Sequence, residues 1–359
     1  MNPNTKKPLK VGLVGFGKSA QLLHAPLIEH NRSLELSYIV QRHSDRARRY
    51  YPKTEIVRSF EELLETDVDV VVLLTPNPTC AESARRALQA GKHVVLEPPF
   101  SLSESDAENL VLAGTRLEKV VSVFQHRRWD GDFQTVKKLL QSGRLGEVRE
   151  FESRLDTQRS LPKTTWIEEN LPGTSALNEL GTHLIDQALV LFGRPKRIWA
   201  DIRSQRGTRG DDFFEIIADY GDTRCVLKGS FLVAEPTVRF LLRGSQGSFF
   251  KYGQDPQEAA LKKGETPGDV EWGRDQEHLW GQFFGNDNSS ERIETVRGNY
   301  TEFYDDLVRA VSSRRLPAVT ALQARDIIKF LELARASHTA GRWIEWEQVA
   351  AVEAERMSA

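Results

Sequence analysis

Val11-Gly12-Leu13-Val14-Gly15-Phe16-Gly17-Lys18-Ser19-Ala20 is the stretch that decides the fold. A short apolar run, Leu9–Val14, ends in Gly15-x-Gly17-x-x-Ala20 and passes at once into a helical pattern over Ser19–His30. At such a strand–turn–helix junction each small residue has a task. Gly15 permits the tight turn, Gly17 lets a ligand approach the backbone, and Ala20 keeps the helix close to the sheet. The helix N-terminus adds unsatisfied N–H groups and the positive end of a dipole, which together suit a pyrophosphate. Gly15, Phe16, Gly17, Lys18, Ser19 and Ala20 are therefore candidate dinucleotide-binding residues.

The same alternation continues downstream. Leu36–Val40, Val68–Leu74, His93–Leu96 and Val120–Phe124 read as buried strands. Arg46–Tyr51, Phe60–Glu65, Ala81–Ala90 and Glu104–Leu117 read as the helices between them. Gly91 stands where a helix C-cap glycine belongs, and Ser103 where an N-cap belongs. The pattern is that of an α/β Rossmann domain with a doubly wound parallel sheet over residues 1–126. At the end of the second strand an NAD-binding chain usually places an acidic residue for the ribose hydroxyls. This chain has Val40-Gln41-Arg42-His43-Ser44 instead. Gln41, Arg42 and Ser44 suit a 2′-phosphate, so NADP(H) is expected over NAD(H). In the plainer reading Arg42 is simply exposed, and Ser44 or Asp45 caps the next helix.

Beyond Arg128 the pattern changes. Asp132–Ser142 is helical, and strands then dominate: Val148–Asp156, Ile198–Gln205, Phe213–Tyr220, Arg224–Leu232, Val238–Arg243 and Gly247–Tyr252. A helix over Ser175–Phe192, ending at Gly193, would cover one face of this sheet. From Gly253 to about Arg292 periodicity disappears, and a long functional or mobile loop is expected, with Trp272, Trp280, Phe283 and Phe284 pinning it or forming a lid. Tyr300–Arg314 and Ala321–His338 read as two closing helices. Residues 127–359 thus form a second α/β domain with a large, open, mainly antiparallel sheet.

Composition bounds the partners. A formal net charge of −2 provides no basic field for nucleic acid. Arg46, Arg48 and Arg49 read as a solvated helix face rather than a phosphate patch. The two cysteines, Cys80 and Cys225, have neither metal-ligand spacing nor a disulfide framework. With no apolar leader and no apolar run of membrane-spanning length, a cytoplasmic protein is expected.

On the second-domain helix, Glu179 and His183 stand four residues apart and so share a face. A carboxylate beside an imidazole can fix its tautomer and raise its proton affinity, which serves general acid–base work. Asp186, three residues on, can orient the ring from the other side. The competing readings are a histidine hydrogen-bonded in the core and, more weakly, a metal site from Glu179, His183 and Asp186. No metal is expected.

Several segments, in order, carry a family resemblance. They are Gly15-x-Gly17, His24-Ala25-Pro26, Thr75-Pro76-Asn77, Gly91-Lys92-His93, Leu96-Glu97-Pro98-Pro99, Phe124-Gln125-His126-Arg127-Arg128-Trp129-Asp130, Gly143-x-Leu145-Gly146 and the stretch Thr174–Gly193. Together they resemble the Gfo/Idh/MocA family of nicotinamide-dependent oxidoreductases. Lys251-Tyr252-Gly253-Gln254-Asp255-Pro256-Gln257-Glu258 is similar to its YdgJ-like subgroup. The resemblance implies cofactor contacts at Thr75, Pro76, Asn77, Glu97, Pro98 and Arg128. It implies a substrate pocket near Gln125, Arg127, Trp129, Trp166 and Asp186, and a homodimer or higher homo-oligomer built through the open sheet face.

Pro98 departs from that family. The segment resembles Glu-Lys-Pro, whose lysine helps move a proton beside the nicotinamide, and proline can neither hold nor give one. Glu179 stands where the family usually has aspartate, and Cys80 where the subgroup tends to have histidine. The resemblance thus implies an NADP(H)-dependent oxidoreductase for a small carbonyl or hydroxyl compound, with His183 as main acid or base and Glu179 supporting it. A non-redox isomerase, lyase or cyclase on the same scaffold, or a nucleotide-sensing regulator without catalysis, remains open beside it. The Pro98–Pro99 bond is a candidate for cis geometry.

Overall fold

Six short strands build the first sheet: β1 (Leu9–Val14), β2 (Leu34–Val40), β3 (Glu55–Val57), β4 (Val70–Leu73), β5 (His93–Leu96) and β6 (Val121–Val123). The computed structural model describes residues 7–74, 77–159, 175–207 and 209–347. All pairs in this sheet are parallel, in the order β3-β2-β1-β4-β5-β6. That order is the Rossmann arrangement, with the chain reversing direction between β1 and β4. Val70, Val71, Val72 and Leu73 of β4 are fully buried, as a strand covered on both faces requires. β3 was not legible in advance, because three residues carry too little pattern to see.

The helices of this unit are α1 (Ala25–His30), α2 (Phe60–Leu64), α3 (Asn77–Gln89) and α4 (Glu104–Arg116). The Ser103 hydroxyl accepts from Asp106 N and caps α4 as expected. Before α1 the chain makes a π-helical turn, Ala20–His24, rather than the expected continuous helix. Pro26 lacks the N–H that an α-helical ladder would use there, which accounts for the local widening. Arg46–Arg49 forms a single 3-10 turn. Both Pro98–Pro99 and the expected cis geometry coincide: that peptide bond is cis.

A second, nine-stranded sheet carries the other unit. Its strands are β7 (Val148–Asp156), β8 (Arg197–Arg203), β9 (Phe213–Asp219), β10 (Arg224–Ser230), β11 (Val238–Gly244), β12 (Gly247–Tyr252), β13 (Gly281–Gly285), β14 (Ser290–Ile293) and β15 (Ile344–Glu345). They run in the order β14-β13-β12-β11-β7-β10-β9-β8-β15. Every pair is antiparallel except β7 with β10. Helices α5 (Gly131–Gln141) and α6 (Thr182–Phe192) belong to this unit. Phe192 of α6 meets Phe151 of β7 edge to face at 5.2 Å. Phe151, Phe214, Ile216 and Ile198 line the buried face. Glu152, Arg154, Glu215 and Lys228 alternate onto the opposite face, where Lys228 pairs with Glu215 at 3.2 Å.

Two expectations need correction. The stretch from Gly253 to Arg292 is not one long loop: it holds α7 (Gln257–Lys262), a 3-10 turn at Glu277–Leu279, β13 and β14. β13 was hidden because glycines open and close it, Gly281 lying where a Cβ would come 2.2 Å from Phe249. β14 is a polar edge strand, Ser-Glu-Arg-Ile, with no alternation to read. Trp272 and Phe283 are buried while Phe284 is exposed and stacks on Phe250.

The compact units also interleave along the sequence. The first comprises Met1–Trp129, Pro256–Trp272 and Asn299–Arg325, and the second Asp130–Asp255, Gly273–Gly298 and Asp326–Ala359. Helix α8 (Thr301–Ser313), expected with the second domain, therefore packs in the first unit, and α9 (Ala321–Ala340) begins there. Among the described residues no helix is long and apolar enough to cross a membrane.

Backbone crowding gives a direct test of the second unit. A Cβ at Gly244 would lie 2.1 Å from the Leu145 carbonyl oxygen, whereas one at Gly17 would meet nothing within 4 Å. Gly244→Ala is expected to cost about 1–3 kcal/mol in urea unfolding, and Gly17→Ala to leave the midpoint nearly unchanged.

Candidate active site

The Gly15 turn adopts φ 108°, a left-handed geometry that glycine tolerates and side chains rarely adopt. It lies beside Leu74, whose N–H donates to Val14 O at 3.3 Å, so the turn sits where the sheet order reverses. The open space in front of Gly17 is what a phosphate approaching the backbone needs. Arg46 donates to the Phe16 carbonyl at 3.0 Å and so fixes the loop from outside. Arg46, Arg48 and Arg49 are all exposed, as a solvated face requires, and Arg46 in addition braces the glycine turn. Gln41 Oε1 accepts from Ala47 N at 2.9 Å, and Ser44 Oγ from Arg46 N at 3.0 Å. Arg58 bonds the carbonyls of Gln41 and Ser44 at 3.1 and 3.2 Å, which shapes the segment after β2. Arg42 is exposed there, and no acidic side chain occupies the end of β2.

Glu97 follows β5 and joins three elements. Its Oε1 accepts from the Ser19 hydroxyl and from His24 Nε2, the latter at 2.6 Å. His24 Nδ1 closes on the Tyr304 hydroxyl of α8 at 2.5 Å. A carboxylate can only accept, so Nε2 carries a hydrogen. His24 and Tyr304 are fully buried, and Phe124 lies 4.1 Å from the imidazole, ring to ring. Burial pushes the Glu97 carboxyl up, but the charge and hydrogen bond of His24, the Ser19 hydroxyl and the nearby His126 outweigh it and hold it below its usual range. Burial and Glu97 together push the Tyr304 phenol well above its usual value. Burial likewise pushes the Cys80 thiol up to about 12, so it is no reactive thiolate.

Next to this cluster Glu258 of α7 receives Arg127, and His126 Nε2 at 3.3 Å. The Arg127 charge is the main cause that holds Glu258 well below the carboxylate range, against its burial. Sequence reasoning missed His24, Tyr304 and Glu258 as partners, because 280 residues separate His24 from Tyr304 and no local signal links them.

Arg128 donates to Ala318 O at 2.6 Å and to Gln323 Oε1 at 3.1 Å. Those bonds anchor the guanidinium to the segment before α9 and to its first turn. Gln125 is enclosed, with 1 % of its surface exposed, and Trp129 is half-buried against Phe303. Thr75, Pro76 and Trp166 lie outside the described residues. Asn77 opens α3.

In the second unit a π-helical turn, Leu177–Gly181, precedes α6 and carries Glu179. Asp211 starts it: its carboxylate accepts from Leu177 N at 2.7 Å and its carbonyl from Ala176 N at 2.9 Å. Thr182 bonds back to Asn178 O at 2.9 Å, a contact that bends helices. Such π turns recur at functional sites. Glu179 is exposed and its carboxylate pairs with Arg159, a partner the sequence did not announce. His183 follows on the first turn of α6, half-buried, and Asp186 lies deep at 2 % exposure.

Residues 9–125 match the model of the Gfo/Idh/MocA oxidoreductase family described as an NAD-binding Rossmann fold, and residues 137–346 match its C-terminal alpha/beta domain. The chain belongs to the Gfo/Idh/MocA oxidoreductase family. It is 37% identical to the Escherichia coli oxidoreductase YdgJ, over 90% of this chain and 95% of that one. It is 33% identical to IolW of Bacillus subtilis, a scyllo-inositol 2-dehydrogenase (NADP(+)), over 94% and 96% of the two chains. The solved structure of yvaA from Bacillus subtilis superposes with a TM-score of 0.92 at 32% identity, covering 94% of this chain and 98% of that one.

The lowered carboxyls have a pH consequence. A group whose folded pKa lies below its unfolded value stabilises the fold above that unfolded value, about 4.5 here, and loses the contribution as pH falls through the folded one. Glu97→Gln is expected to show a shallower loss of stability than the parent chain between neutral pH and pH about 3. Urea midpoints measured across that range would reveal it; an unchanged slope would show that Glu97 holds no such charge.

Proposed function

We propose that this protein is an NADP(H)-dependent oxidoreductase that interconverts a secondary hydroxyl and a carbonyl on a small polyol-like compound. The observation that carries the reading is the glycine turn with open space at Gly17, next to a β2 end that offers Arg42, Gln41 and Ser44 in place of an acid. The likeness to IolW, a scyllo-inositol 2-dehydrogenase (NADP(+)), supports both the cofactor and the substrate class.

Gly15 to Ala20 would hold the pyrophosphate through backbone N–H groups, and Arg42 with Ser44 the 2′-phosphate. Thr75, Pro76, Asn77 and Glu97 are proposed as further contacts of the cofactor, which when bound supplies or accepts the hydride. The His183 imidazole takes the hydroxyl proton in oxidation and returns it in reduction. Glu179, already paired with Arg159, sets the charge along that helix face. Asp186, Gln125, Trp129 and Trp166 are proposed to shape the substrate pocket. Pro98 supplies no proton, so His183 carries the acid–base work alone. Losing one positioned acid–base group costs about 10²- to 10⁴-fold in rate.

That same proline favours a second reading, a non-redox isomerase, lyase or cyclase in which Glu179 and His183 shuttle protons without hydride transfer. For assembly we propose a homodimer or larger homo-oligomer through the sheet face that carries Glu215 and Lys228, whose charges already compensate one another. A cytoplasmic setting accords with both cysteines being buried thiols.

Calorimetric titration of the full chain with NADPH and NADH tests the cofactor reading. Saturable binding with at least about tenfold preference for NADPH is expected, one charge-assisted contact being worth that much. Gly17→Trp should abolish it, and Arg42→Asp should erase the preference. Equal affinity for both nucleotides, or binding that survives Gly17→Trp, would overturn it.

A further inference from the structure

At the opposite end of the first sheet from the glycine turn, where β5 and β6 begin, the first unit contains a cavity of about 660 Å³. It lies among the last turns of α4 and α8, the start of α9 and the segments that follow those helices. Its size falls in the range of small-molecule sites, roughly 300–1,000 Å³. Val111, Val121, Val311 and Leu322 supply apolar wall, and Leu316, 77% exposed, stands at the mouth.

Three hydrogen-bond donors reach this cavity. His93 Nδ1 accepts from Val120 N at 3.0 Å, which leaves its Nε2–H as the outward donor. Lys119 and Arg314 line the same space, and among the described residues neither has an ion-pair partner. The other charged residues of the lining are Arg315, which is paired with Asp306, and Glu118. Burial first, and the Lys119 charge second, depress the His93 imidazole to about 4, with Asp69 opposing, so the ring is neutral at pH 7 and donates one hydrogen.

Backbone geometry adds an independent sign. Glu118 and Arg314, both directly behind helix ends, hold φ of 52° and 51°. Helices commonly close on glycine in that conformation, and here side chains are kept instead. Arg314 thereby presents a guanidinium at a position where glycine would present nothing.

We propose that this cavity binds a small organic anion: a carboxylate on an apolar body, with the head group met by Lys119, Arg314 and His93 Nε2–H and the body lying along Val111, Val311 and Leu322. The site is separate from the nucleotide loop, so occupancy by such an anion does not compete with the dinucleotide. Cationic and hydrogen-bonding groups beside an apolar wall are together what an amphipathic acid needs.

Calorimetry of the full chain with decanoate, against decanol as the uncharged control, tests this. One-site saturable binding is expected for decanoate and at least tenfold weaker binding for decanol. The double variant Lys119→Met with Arg314→Met should weaken decanoate at least tenfold, and Leu322→Asp should do the same by spoiling the wall. Far-UV circular dichroism and an unchanged NADPH titration would show that the variants remain folded. Decanoate binding that is absent, equal to that of decanol, indifferent to both variants or displaced by NADPH would each overturn the proposal.

Discussion

Glu97 carries a negative charge at the end of β5 with only a quarter of its side chain exposed, and such a charge must be met by fixed partners. Ser19 comes from the turn after β1, His24 from the π-helical turn behind it, and Tyr304 from α8. Removing any one partner leaves a buried polar group unsatisfied, a penalty of about 1–3 kcal/mol. The carboxylate therefore ties the start of the glycine-loop helix to the C-terminal end of the sheet. It also recruits a helix from far along the chain into the nucleotide-binding unit. The aromatic packing of Phe124 against His24, Phe303 and Tyr304 follows from the same clustering.

This arrangement bears on Pro98. A lysine there would place a cation directly after Glu97; with proline, the compensating groups are His24, Ser19 and the more distant His126. The carboxylate keeps its charge without that neighbour, and the scaffold of the cofactor side is retained. Proline can neither hold nor give a proton, which is why the proposed reaction assigns the acid–base work to the half-buried His183. Glu179 rides on the π-helical turn before α6, where it is exposed and paired with Arg159.

Much of the fold was legible because its strands are apolar runs bounded by glycine and polar residues. Leu9–Val14, His93–Leu96, Val148–Asp156 and Gly247–Tyr252 appear with the bounds their patterns indicate. What escaped lacks a local signature. β3 is too short, β14 is polar, and a single π-helical turn is too brief to show a period of its own. The interleaving of the two units is a property of long-range packing. Of the site, the glycine loop and the basic end of β2 were readable, since each sits at a fixed offset from a strand. The Glu97–His24–Tyr304 chain and the Glu258 pairing depend on tertiary contacts that no spacing encodes.

Deuteride transfer from NADPH labelled at the reactive carbon is the most direct test of whether a redox site survives without the lysine. A panel of inosose and related ketone acceptors would be incubated with the full chain and the products analysed by mass spectrometry. Deuterium appearing on the new carbinol carbon, at a rate lowered about 10²-fold or more by His183→Ala, is the expected result. Tight NADPH binding with no label transferred to any acceptor, or transfer indifferent to His183→Ala, would contradict it.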